Sequence, residues 1–123
     1  MKKSEFKKNL LDIFTLKVDN LTENEKISFI KKVIIDLEKD KEYDQSNKGN
    51  SWSDDELKLI LQTQPTKENI LLTAKAFKRG YGSIEQIFRW ASEDQKSIDT
   101  KRPDDKFIQQ IKRIAKEIGW RAT

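Results

Sequence analysis

The chain has 123 residues with 35% hydrophobic and 37% charged side chains, 25 Lys and Arg against 21 Asp and Glu, and a net charge of +4. Neither His nor Cys is present, which excludes disulfides, the usual catalytic triads and His- or Cys-ligated metal sites. Only four Gly and two Pro occur, too few for a turn-rich β protein, and Lys, Glu, Leu and Ile favour helices, so the expected class is all-α.

Residues 4 to 16 read as a short helix capped by Ser4, with Phe6, Leu10, Ile13 and Phe14 on one side. The basic start has no continuous apolar segment and no small-residue cleavage site, so a signal peptide is not expected, and no run approaches the roughly 20 apolar residues of a membrane span. Thr22-Glu23-Asn24-Glu25 has the form of a capping box, opening a helix to about Lys39 whose stripe is Ile27, Ile30, Ile34 and Leu37. A pair of this size buries too little to stand alone. Residues 1 to 39 therefore either pack on the rest of the chain or form a homodimer.

Residues 40 to 50 contain no aliphatic side chain and many turn formers, which marks 41–50 as a polar linker between an N-terminal helical pair, 1–40, and a second region, 51–92. Ser53 and Glu56 form another capping box, followed by Leu57, Ile60 and Leu61. Thr66 can cap the next helix, with Ile70, Leu71, Ala74 and Phe77 on one face. Gly80 and Gly82 are expected to supply the dihedrals of a sharp turn, after which Ser83 and Gln86 start a helix carrying Ile84, Ile87, Phe88 and Ala91. Helix, tight turn and short helix is the form of a helix-turn-helix, or of a plain helical hairpin in a small bundle. Residues 93–123 read as a polar connector ending at Pro103, then a helix capped by Asp104 or Asp105 with the stripe Phe107, Ile108, Ile111, Ile114, Ala115 and Ile118, and Gly119 at its C-cap. Trp120 is expected to cover that end. No internal repeat and no strand pattern is evident.

The excess positive charge is localised. Residues 1 to 46 carry 10 basic and 10 acidic residues, whereas 67 to 91 carry 5 basic and 2 acidic ones. A localised basic face attracts polyanions.

Trp52-Ser53-Asp54-Asp55-Glu56, opening three successive helices, resembles the start of the Myb/SANT-like (homeodomain-like) family. Ile70 or Leu71 stands in that family's second aromatic position, Arg79 with Ser83-Ile84 matches its turn, and Phe88 takes the third aromatic position. The resemblance covers residues 51–91. It implies a three-helix core and a third helix presented to double-stranded DNA, with the reading positions on Gly82, Glu85 and Gln86. The expected DNA-binding residues are Lys78, Arg79, Tyr81, Ser83, Glu85, Gln86 and Arg89, the cations gripping phosphates and Gln86 pairing with adenine. Trp52, Phe88 and Trp90 read as core rather than as base-stacking platforms. The acidic Glu85 keeps open a second reading, a SANT-like protein-interaction module acting as adaptor or inhibitor of a nucleic-acid enzyme. Acid-x-Lys fragments such as Asp94-Gln95-Lys96 lie on no strand pattern, and Gly80-Tyr81-Gly82 lacks the strand and later glycine of a phosphate loop, so no enzyme and no cofactor is expected. A cytoplasmic bacterial or phage regulator is the function expected.

Overall fold

The computed structural model describes residues 1–121. Among them the chain is all-helical, with seven helices: α1 (Lys3–Phe14), α2 (Glu23–Asp40), α3 (Asp54–Leu61), α4 (Lys67–Phe77), α5 (Tyr81–Ser92), α6 (Gln95–Lys101) and α7 (Lys106–Glu117). No helix is long and apolar enough to cross a membrane among the described residues. Contacts divide the chain within α2 into a first compact unit, Met1–Ile34, and a second beginning at Ile35.

The first unit has almost no core. Thr22 and Glu25 exchange the two hydrogen bonds of a capping box at 3.2 Å each, so α2 starts where the sequence places it. α1 starts at Lys3 without a side-chain cap, and Ser4 lies inside its first turn instead of before it. The last turn of α1 holds no basic residue; Lys26 of α2 substitutes, donating to the carbonyls of Phe14 and Leu16 while pairing with Glu23 at 3.1 Å. A cation on those carbonyls offsets the negative end of the α1 dipole. Lys26 is the buried residue here, while Phe6, Leu11, Ile13, Phe14, Leu16, Ile27 and Phe29 stay 40 to 62% exposed.

The second unit is built on one apolar cluster drawn from α3, α4, α5 and α7. Leu57, Ile60, Ile84, Ile87, Ile111 and Ile114 are essentially inaccessible, each at the inward position of its helix period. Ser53 caps α3 with a complete capping box, Thr66 caps α4 through the Asn69 amide, and Asp105 caps α7 through the Ile108 amide. Residues 93–103 are not simply connector: Asp94 caps the short α6, whose Ile98 is buried. α7 ends as expected, with Gly119 at φ 68°, its amide on the Lys116 carbonyl and the Trp120 amide on the Ala115 carbonyl, a Schellman closure.

The turn between α4 and α5 departs from the expectation. Neither Gly80, at φ −73°, nor Gly82, inside α5, is left-handed; the left-handed residue is Lys78, at φ 57°. α5 begins at Tyr81, so Ser83 is inside the helix and the expected Ser83–Gln86 cap does not form. A Cβ at Gly80 would sit 3.2 Å from the side-chain oxygen of the exposed Gln45, which would have to give by a few tenths of an ångström.

Residues 41–50, helix-free as expected of a polar connection, clasp that turn. The Tyr43 hydroxyl donates to the Arg79 carbonyl at 2.8 Å, and Asn47 donates from its side chain to the Phe77 carbonyl and from its amide to the Lys78 carbonyl. Helix C-termini leave carbonyls unsatisfied, and these bonds take up those of α4. Burial pushes the Tyr43 hydroxyl up from its ordinary value of 10.0, so it stays a donor.

Candidate functional site

The expected DNA-binding residues separate into two groups. Glu85, Gln86 and Arg89 are exposed together with Gly82 on the outward face of α5, spaced three or four residues apart as one helical face requires. Opposite them Tyr81, Ile84, Ile87, Phe88 and Ala91 point into the core. Lys78 is also accessible, at 3.7 Å from Asp44 in a pair that water screens well.

Arg79 and Tyr81 are withdrawn from that surface, contrary to the expectation. Arg79 is only 4% exposed. Its guanidinium lies 3.8 Å from the Trp52 ring centroid and donates to the carbonyls of Asn50 and Ser51. A planar cation stacked on an indole and spent on backbone oxygens locks the segment before α3 to the α4–α5 turn. Tyr81 is buried, with the Lys39 ammonium 4.3 Å from its ring. Burial, then the charges of Glu85 and Asp36, raise its hydroxyl above the ordinary 10.0. Ser83 is half-buried and lines a groove beside Trp52, Lys106 and Phe107.

α7 fixes the neighbourhood of α5. Lys112 donates to the Ala91 and Glu93 carbonyls at 3.1 and 2.7 Å, closing the C-terminal end of α5. Gln110 and Arg113 both donate to Asp54 at the start of α3, and Arg113 first, then Gln110, hold that carboxyl below its ordinary value of 3.8. Beside α5 a groove of about 360 Å³ opens, lined by Gln86, Arg89, Trp90, Lys101, Arg102, Asp105 and Phe107 among others. Trp90, expected in the core, packs against it with one side and is otherwise half-accessible; Phe107 does the same. The Arg89 guanidinium lies 5.8 Å from the Trp90 ring centroid. Lys101 pairs with Glu93 at 3.7 Å and Arg102 with Asp105 at 3.9 Å.

Lys101, Arg102 and Phe107 were outside the sequence-based site. The adjacent cations Lys101-Arg102 before Pro103 were the available signal, hidden because α6 shows no periodicity. No group of three or more acidic side chains suited to a metal ion exists among the described residues.

Fold and surface thus define a small all-α protein whose second unit displays one polar helix face beside a cationic, aromatic groove. The chain belongs to the family described as the uncharacterised protein PM1205 C-terminal domain, which matches residues 46–122. It is similar to "Uncharacterized protein PM1205" of Pasteurella multocida (strain Pm70), 48% identical over 124 residues that cover 98% of this chain and 99% of that one. No solved structure matches.

Proposed function

We propose that the protein is a non-enzymatic, cytoplasmic DNA-binding protein, a bacterial or phage regulator that presents α5 to double-stranded DNA in the manner of the Myb/SANT-like helix-turn-helix. The observation that carries this reading is the outward face of α5, where Gln86 and Arg89 stand together and unburied. Lys78 lies at the preceding turn, and the stretch 67 to 91 has 5 basic residues against 2 acidic ones. Gln86 can pair bidentately with adenine, and Lys78 and Arg89 can hold phosphates on either side of it. Arg79, being buried, acts by holding the turn in shape.

The test is an anisotropy titration against duplex DNA at two salt concentrations. Each phosphate contact contributes about 0.9 to the slope of log affinity against log salt. Replacing Lys78 or Arg89 by Gln should each lower the slope by about that amount, whereas Gln86→Ala should cost about 1–3 kcal/mol on a preferred sequence with the slope intact. Affinity that is weak and indifferent to all three changes sinks the proposal.

The second reading is a protein-docking module. Glu85, exposed in the middle of the α5 face, and the uncovered apolar side chains of the first unit favour it. On that reading Glu85→Lys creates DNA affinity where none existed. For residues 1–39 we propose self-association: Phe6, Leu11, Ile13, Phe14, Leu16, Ile27 and Phe29 find no cover within their own unit, and the 10 basic and 10 acidic residues of 1 to 46 leave no net repulsion between copies.

A further inference from the structure

Inside an undistorted duplex a protein meets the edges of the bases and not their faces, because each face is stacked on the next pair. Gln86 and Arg89 suit edges and phosphates. Trp90 and Phe107 do not, since an aromatic ring gains most from a flat π-surface laid against it. Both rings line the groove beside α5, which at about 360 Å³ lies in the lower range of ligand clefts. They are held by the core on one side, so stacking on them costs little ordering.

We infer that this groove receives an unpaired nucleotide, its base laid against Trp90 and Phe107 and its flanking phosphates held by Arg89, Lys101 and Arg102. The inference rests on the nucleic-acid reading above and narrows it to duplexes with an unpaired end or bulge. The cations stand around the rings: Arg89 lies 5.8 Å from the Trp90 ring centroid, and Lys101 and Arg102 close α6 on the far wall. Asp105 also lines the groove, and Lys101 and Arg102 each have an acidic partner, but both cations are largely exposed and such long, solvated pairs are weak, so a phosphate can compete for them. Glu93 lies 3.7 Å from Lys101, and Asp105 spends a carboxylate oxygen on the Ile108 amide and lies 3.9 Å from Arg102. Gln86, on the same wall as Trp90, supplies a donor and an acceptor for a base edge that pairing no longer occupies. Neither deoxyribose nor ribose is selected by these groups, so the shared chemistry is an unpaired nucleotide of either acid.

The experiment compares four labelled probes by anisotropy with the full chain: a blunt duplex, the same duplex with a thymidine overhang, and single strands of thymidine and of uridine. The overhang should bind about tenfold more tightly than the blunt duplex, the effect of one stacked base. Trp90→Leu should bring the two duplexes to equal affinity, and Trp90→Phe should retain the difference. Where Trp90→Leu impairs folding, Lys101→Gln with Arg102→Gln serves instead, since both side chains are exposed. Each lost contact to a single strand should lower the salt slope by about 0.7, and by more on the overhang probe than on the blunt one. Equal affinity of the parent protein for blunt and overhang duplexes overturns the inference while leaving duplex binding intact. Tight binding of the single strands without the blunt duplex supports it and removes the duplex regulator. No binding to any probe removes both.

Discussion

Lys78 and Arg79 are neighbours with opposite fates, and both fates come from the end of α4. A helix that stops with a Schellman closure needs one left-handed residue, and here that residue is Lys78, at φ 57°. A side chain in that conformation costs about 1–2 kcal/mol, so Lys78→Gly should stabilise the protein by roughly 0.5–1 kcal/mol in denaturant melts once glycine's own entropy is deducted. The same variant loses a proposed phosphate contact, so its DNA affinity should fall while its stability rises. A destabilised Lys78→Gly would mean that the strain is relieved some other way. Arg79→Gln should do the reverse of a surface change: it leaves two carbonyls and the Trp52 face without their partner and should cost roughly 2–4 kcal/mol. A near-neutral effect on unfolding would return Arg79 to the list of phosphate ligands. Neither fate was legible in the sequence. Lysine is not a residue that signals a left-handed turn, and the two nearby glycines drew the assignment to themselves. A buried and a solvated arginine next to a turn look alike until the chain brings an indole from 27 positions away beneath one of them.

At the scale of helices the sequence was far more informative, because a cap is a local event. Thr22, Ser53, Thr66 and Asp105 each bond the amide three residues on, and the four starts need nothing distant to be recognised. The stripe of α7 was equally plain, since Ile108, Ile111, Ile114 and Ala115 are all buried. α6 escaped notice because seven residues with a single buried isoleucine display no period at all. With it went Lys101 and Arg102, and hence two of the three cations of the groove. What periodicity also cannot give is how α7 is fastened to α3. Asp54 receives both Gln110 and Arg113 across more than fifty residues of sequence. Its carboxyl titrates below 3.8, so its stabilising effect is complete above that value and is lost as the pH falls through the depressed one. Asp54→Asn should therefore flatten the decline of the melting temperature as the pH falls below 3.8. A decline as steep as the parent's would place the acid sensitivity at another carboxylate.

For the whole molecule, the division at Ile35 and the family's boundary at residue 46 do not coincide. Residues between them belong to the second unit: Ile35 and Tyr43 pack against its core, Asp36 and Glu38 pair with Lys67 and Lys75, and Lys39 covers Tyr81. A fragment starting at Ile35 should unfold in one cooperative step as a monomer. One starting at Asn47 should melt several degrees lower, having lost Tyr43 and Ile35 from the core surface. The proposed self-association of residues 1–39 predicts a dimer for the full chain in sedimentation, and a full chain that stays monomeric at high concentration ends that proposal. The clasp of residues 43 to 51 has a further consequence for fragment complementation. Lys48 is exposed at its outer edge, beside Gly49 at φ 85°, where trypsin can cut. On the side before the cut remain Tyr43 and Asn47, bound to the carbonyls of Phe77, Lys78 and Arg79. On the side after it remain Asn50 and Ser51, bound to the guanidinium of Arg79. A single nick there should leave two pieces that run apart in denaturing gels yet elute together from a sizing column, and that reassemble after separation.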